Sequence, residues 1–321
     1  MSADNWDAYW QNARSAAAHS DGGPQDEALE KFWLGLFEQV TPTLKSDSLI
    51  VDIACGNGAV ARFALASLNS NNNIEIVGID ESAAAVLEMR KRSPEITALS
   101  ASALQLPLRD GVVDFLTSQF GMEYAGSQVL NELMRLLPAG GIMAAVMHMH
   151  KGGIYLECEI NLQAIEAFRQ THILENFEVL YREVVVTNGR SADKERIQET
   201  DRQFAKSVKA VEEILRQRGK GVASETLLRI YRDIGHMYTK LSAYDENEIL
   251  NWIKVMHSDL ASYAGRMSSM LNAALTESDF QKLLLKLEET GFKLRVQDKL
   301  MFGERKLPAA WVIVAQREPS N

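Results

Sequence analysis

The chain is poor in the residues that staple, interrupt or anchor a polypeptide. Two cysteines stand among its 321 residues. Cys55 and Cys158 form neither a disulfide framework nor a Cys-x-x-Cys pair. Proline occurs seven times, and none falls between Ile154 and Leu275, so no proline interrupts helices there. No uncharged apolar run nears the ~18 residues of a membrane helix. The start, Met1-Ser-Ala-Asp-Asn-Trp6, lacks the basic and apolar regions of a secretory leader. Positive charge is in deficit: 34 Lys and Arg against 43 Asp and Glu give a net charge of −9. That balance, with no basic aromatic-laced tract, disfavours nucleic acid as a partner. The expectation is a cytoplasmic protein with no membrane partner.

What is present is an alternation of strand and helix. Leu49-Ile-Val-Asp-Ile-Ala-Cys-Gly-Asn-Gly58 reads as a buried strand that breaks into a glycine turn and opens a helix. Strand one is expected near Ser48–Ala54, with a helix over Ala59–Leu68. Strand two covers Ile74–Asp80, and Ser82 caps a helix over Ala83–Arg92. Strand three is short, near Ile96–Leu99. Strand four covers Val112–Ser118 behind the turn Arg109-Asp-Gly111. A helix over Ser127–Leu137 stops at Pro138-Ala-Gly-Gly141, and strand five follows over Ile142–Met147. This order implies a parallel sheet with helices on both faces.

Before the sheet, Phe32, Trp33, Leu36 and Phe37 mark an apolar helix face, after a break at His19-Ser-Asp-Gly-Gly-Pro24. Beyond strand five, apolar residues recur at helical spacing from about Ile154 to Leu275. They imply four or five amphipathic helices with breaks at Asn188-Gly189 and Gly219-Lys-Gly221. Val184–Val186 suggests no more than a β stub. A helix over Phe280–Thr290, a strand over Phe292–Phe302, the loop Gly303–Pro308 and a strand over Ala309–Gln316 complete the pattern. Strands joined by so short a loop run antiparallel. The expected fold class is therefore α/β: a seven-stranded, mostly parallel, doubly wound sheet with a terminal antiparallel hairpin. A helical insert lies between strands five and six. The core is assigned to residues 1–150 and 278–321. The insert, 151–277, is assigned to a lid, a substrate region or a dimer surface.

Gly56-Asn-Gly58-Ala-Val-Ala61 also fits the glycine fingerprint of dinucleotide sites, which alone is weak evidence. Taken with Gly78-Ile-Asp-Glu-Ser82, Ala101-Ser-Ala-Leu-Gln-Leu-Pro107, Arg109-Asp-Gly-Val-Val-Asp114, Leu136-Leu-Pro-Ala-Gly-Gly141 and Gly291-Phe292, it resembles the class I S-adenosylmethionine-dependent methyltransferases. The resemblance covers roughly residues 40–150 and 278–317. It implies S-adenosylmethionine as cofactor, in place of NAD. It also implies that Asp52, Ala54, Gly56, Gly58, Asp80, Glu81, Ser102, Ala103, Gln119 and Phe120 surround that cofactor, with Tyr9 and Trp10 covering it. In this scheme Asp80 accepts from the ribose hydroxyls and the Ala103 amide serves adenine. Asp52 sets a negative charge beside the sulfonium. Many members carry Asp where this chain has Ser102, a weaker acceptor for the adenine amino group.

Each residue also has a plainer reading. The two glycines suit any tight strand-to-helix turn, Asp80 a surface acid, and Asp52 a structural acid that holds the turn. Asp110 and Asp114 suit a turn and a strand end.

Methyl transfer requires alignment of the acceptor with the methyl group, and a base only where the acceptor carries a departing proton. Glu123 and Tyr124 in the loop after strand four, and His148 and His150 at the end of strand five, are the catalytic candidates. Each histidine suits a packed strand end equally well, and the pair lacks a third metal ligand, so no metal is expected. A small-molecule or modified side-chain acceptor, with O- or C-methylation, is the leading expectation. A homodimer through the insert is a further expectation; the rivals are a catalytically weak S-adenosylmethionine-binding interaction protein, whose insert is a partner or dimer surface, and an NAD-dependent oxidoreductase.

Overall fold

The computed structural model describes residues 6–7, 9–10, 24–68, 73–186, 194–218, 222–303 and 307–319. The expected breaks at residues 19–23, Asn188-Gly189 and Gly219–Gly221 lie outside them, as does the middle of the last loop. The chain divides into two compact units, one of residues 1–156 and 269–321, the other of residues 157–268.

The first unit is a seven-stranded sheet. Its strands are β1 (Leu49–Ile53), β2 (Glu75–Asp80), β3 (Thr97–Ser100), β4 (Phe115–Gln119), β5 (Ile142–His148), β6 (Phe292–Phe302) and β7 (Leu307–Arg317). The order is β3-β2-β1-β4-β5-β7-β6. The first five strands are parallel, and β7 enters antiparallel between β5 and β6, with Ile142 opposite Gln316 and His148 opposite Ala310. β1, β2 and β5 are buried on both faces, which explains their unbroken apolar runs. Helices α1 (Pro24–Val40), α2 (Ala59–Ser67), α3 (Ala83–Arg92) and α4 (Val129–Leu136) come before β5 in the chain. In α4 the buried residues Val129, Leu130, Leu133 and Leu136 form one stripe. They join a core with Val51, Ile53, Met143, Phe280 and Trp311.

The strand order reverses at β1, with β2 on one side and β4 on the other. That reversal opens a crevice at the carboxyl ends of the strands, where open α/β sheets take their ligands.

Between β5 and β6 the chain runs through α5 (Gly153–Gln170), α6 (Ile173–Tyr181), α7 (Lys194–Arg218), α8 (Val222–Tyr238), α9 (Glu246–Ala273) and α10 (Glu277–Glu289). The second unit has its own core, built on Phe168, Phe177, Tyr181, Leu227, Ile230 and Ile253. The Tyr181 hydroxyl donates to the Tyr244 carbonyl at 2.8 Å, so its buried ring keeps a satisfied polar end.

Three boundaries differ from expectation for identifiable reasons. β4 starts at Phe115, three residues late. Upstream, Gly111 and Val113 donate to Arg135 and Leu136 at the end of α4, and the Asp114 carboxylate takes the Leu49 amide at 2.9 Å. Val184–Val186 end a π-helical turn, Arg182–Val186, and are not extended. α10 begins at Glu277 because the Thr276 hydroxyl accepts from the Asp279 amide as its N-cap.

Candidate functional site

The crevice holds a cavity of about 370 Å³ within the first unit. Its floor is the glycine turn after β1. Gly56 and Gly58 have φ of +54° and +83°, a region open to glycine. A Cβ on Gly56 would lie 2.7 Å from the Trp10 ring. The Gly58 amide donates to the Cys55 carbonyl at 2.8 Å, which closes the turn, and α2 starts from Gly58.

Asp80 ends β2 beside this turn. Its Oδ2 accepts from the Gly56 amide and its Oδ1 from the Ser82 amide, both at 2.8 Å. Burial pushes its carboxyl up, and the two amides hold it down. Each oxygen keeps a further lone pair for a ligand hydroxyl. The Ser82 hydroxyl accepts from the Ala85 amide as the α3 cap and donates to Asp7, whose carboxylate also accepts from the Ala84 amide.

The walls come from four places. Ala101, Ser102, Ala103 and Leu104 follow β3; Gln119 ends β4, and Phe120, Gly121, Tyr124 and Ala125 follow it. Trp6 and Trp10 come from the start of the chain, and His148 from the end of β5. The Gln119 carboxamide is oriented by the Trp33 indole N–H, which donates to Oε1 at 2.7 Å. Phe120 lies parallel to His148, ring centroids 4.5 Å apart, and Tyr124 meets His148 edge-on at 5.9 Å. Trp6 meets Tyr124 edge-on at 6.3 Å. Ala54 and Phe120, each just past a strand end, both have φ of +53°, an uncommon conformation for residues with a side chain and one that clusters at ligand sites.

The structure brings together Ala54, Gly56, Asp80, Glu81, Ser102, Ala103, Gln119, Phe120, Tyr124, His148 and Trp10 of the expected set. The others sit elsewhere. Asp52 lies beneath the turn, off the cavity. It is buried between strands, and its Oδ1 accepts from the Thr117 hydroxyl at 3.0 Å. Burial raises its carboxyl to about 7 against the opposing effect of Thr117 and the Ala61 amide.

Gly58 forms the back of the turn. Tyr9 packs edge-on against Trp6 and Trp10, and Trp6 takes the lining place assigned to it. Glu123 turns away and accepts from the His148 amide at 2.9 Å. His150 falls beyond the end of β5: its amide donates to the Leu275 carbonyl and its ring packs on Tyr155. The strand alternation that would have aligned it with His148 has ended by then. Sequence reasoning missed Trp6, Ile154 and Met270 as lining residues, and no spacing pattern marked the last two.

Cys55 also lines the cavity, but burial pushes its thiol well above the usual range, so it packs and does not attack. Among the described residues no cluster of three or more His, Cys, Asp and Glu forms a metal site. Among them, too, no helix is long and apolar enough to cross a membrane.

Sheet order, glycine turn and strand-end acid are those expected of a class I methyltransferase domain, the class whose methyl donor is S-adenosylmethionine. Residues 50–141 match the family model described as a methyltransferase domain.

Two curated relatives are quinone-pathway enzymes by name. The ubiquinone/menaquinone biosynthesis C-methyltransferase UbiE of Campylobacter jejuni is 31% identical over 121 residues, 36% of this chain and 52% of that protein. A demethylmenaquinone methyltransferase of Beutenbergia cavernae is 30% identical over 94 residues, 29% of this chain and 37% of that protein. The chain thus spans about half or less of the length of the curated relatives it matches. Among solved structures, the CurJ carbon methyltransferase is similar over 90% of this chain and 54% of its own, at 13% identity and a TM-score of 0.46.

The donor set of the cavity fits S-adenosylmethionine. A carboxylate with spare lone pairs suits a ribose diol, and the small residues Ser102 and Ala103 leave room for a purine. Aromatic faces of Trp6, Trp10 and Tyr124 suit a cation.

Proposed function

We propose that this protein transfers a methyl group from S-adenosylmethionine to a small-molecule acceptor at carbon or oxygen. The observation that carries this reading is the cavity itself. It gathers the glycine turn, Asp80, the Ser102–Ala103 loop and His148 at one end of the sheet.

The bound cofactor supplies an electrophilic methyl group on sulfur. The chain's part is to seat it and to exclude water. Asp80 accepts from the ribose, and the Ala103 amide and Ser102 receive the base, with the Ser102 hydroxyl a weak acceptor already facing the Leu104 amide at 3.4 Å. Trp6, Phe120 and Tyr124 close an apolar wall around the reacting centre. His148 is a titratable side chain on that wall suited to take a proton from a hydroxyl or an activated C–H acceptor. C-methylation of a small molecule is supported by the likeness to UbiE, a ubiquinone/menaquinone biosynthesis C-methyltransferase. In this proposal residues 151–277 select the acceptor.

Calorimetry with S-adenosylmethionine and S-adenosylhomocysteine tests the cofactor. Mass spectrometry of candidate acceptors incubated with the methyl-labelled donor tests the transfer. The expected result is binding of both compounds and label on a carbon or oxygen of a small molecule. Label on a nucleobase amine would overturn the acceptor assignment, and absence of binding would overturn the whole reading. Firm binding with no turnover would favour the interaction-protein reading.

A further inference from the structure

We infer that Glu123 is a positioning residue whose carboxyl group fixes His148 in the cavity wall by completing the strand ladder that β4 leaves unfinished. The inference rests on the reading of the cavity as the methyl-transfer site, but its test does not.

β4 and β5 pair in register as far as Gln119 and Val146. The Phe120 amide then donates to the Val146 carbonyl at 2.7 Å, and at Phe120 the chain turns into left-handed backbone and leaves the sheet. The next β5 amide facing that side belongs to His148, and no strand remains there to receive it. Oε1 of Glu123 receives it, at 2.9 Å.

The loop is built to deliver that carboxyl. The Met122 amide donates to the Ser118 hydroxyl at 3.1 Å, and the Tyr124 amide to the Gly121 carbonyl at 3.1 Å. Gly121 is pressed so close to Ala54 that a Cβ on it would lie 2.2 Å from the Ala54 Cβ. One short segment therefore grips His148 three ways: Phe120 on its ring face, Tyr124 at its ring edge and Glu123 at its backbone. Phe120 and Tyr124 touch the cavity, whereas Glu123 works through His148. A glutamine retains the acceptor; alanine or methionine removes it, and methionine keeps the volume.

The test follows the imidazole signals of the full-length chain with labelled histidine, His148 being assigned with a His148→Asn variant. At pH 5, where the buried Glu123 carboxyl is protonated and glutamine is its neutral match, Glu123→Gln is expected to leave the His148 imidazole shifts in place. Glu123→Ala and Glu123→Met are expected to displace them clearly at the same pH. Unmoved shifts in the alanine and methionine variants overturn the inference, as does a glutamine variant that shifts as far as alanine. A variant-free measurement stands beside these. Hydrogen exchange at the His148 amide of the unaltered protein is expected to be as slow as at Val146, and exchange at a loop rate would overturn the inference. Calorimetry of the unaltered protein with S-adenosylmethionine decides the cavity reading separately.

Discussion

Asp80 carries two duties with one carboxylate: it ties the Gly56 and Ser82 amides and faces the cavity. Asp80→Ala is expected to weaken S-adenosylmethionine binding by about 1.5–3 kcal/mol, roughly ten- to a hundredfold in Kd by calorimetry. Asp80→Asn, which keeps one acceptor oxygen, should lose less.

Glu123 gives a pH signature. Burial raises its carboxyl from an ordinary 4.5 to about 7 against the His148 and Gly121 amides. His148 and Tyr124 are the titratable groups around the same turn. Above pH ~4.5 the unfolded chain releases this proton while the folded chain retains it. Stability is therefore full below that pH, falls as pH rises toward 7 and levels off above. Asp52 adds a loss of the same sign. Chemical denaturation at pH 5 and pH 8 should show this fall, and Glu123→Gln should lessen it by on the order of 2–3 kcal/mol.

The residues that build the cofactor side were legible because backbone conformation demands them: glycine at positive φ, an acid at a strand end. Asp52 and Glu123 were misplaced because a carboxylate's sequence position does not tell which way it turns. Both answer buried partners on neighbouring strands, Thr117 and the His148 amide.

At the scale of elements, the turn joining β4 to α4 is tightly constrained. Gly121→Ala would drive a methyl into Ala54, and relief would require moving one of two strand ends. A loss of about 1–3 kcal/mol is expected in thermal or denaturant unfolding, together with weakened cofactor binding, since Ala54 and Gly121 both line the cavity.

Strand and helix order was readable from periodicity and turn residues, and α3 with its Ser82 cap matches expectation to the residue. The starts of β4 and α10 were misjudged. Extended sequence at Val112–Asp114 spends its hydrogen bonds on α4 and on Leu49, and a Thr-x-x-Asp cap before α10 was overlooked. Where His148 faces and His150 does not was hidden as well. It depends on β5 ending at His148 and Met149 bridging Leu275, a contact no local pattern encodes.

For the whole molecule, a cavity that engages a ligand only when folded links binding to stability. At a hundredfold excess over Kd, S-adenosylhomocysteine should add about 2.7 kcal/mol, a rise in Tm of several degrees, on the order of 2–4 °C per kcal/mol. Differential scanning fluorimetry across a ligand series measures it, and Asp80→Ala should blunt the rise.

The placement of β7 has a consequence for biogenesis. The apolar run Ile142-Met-Ala-Ala-Val-Met147 finds its second neighbour in Trp311–Gln316. A chain still emerging from the ribosome must carry that flank open through the synthesis of the whole helical region. The nascent protein is then most prone to clumping just before its hairpin appears, and chaperone dependence should concentrate in that interval.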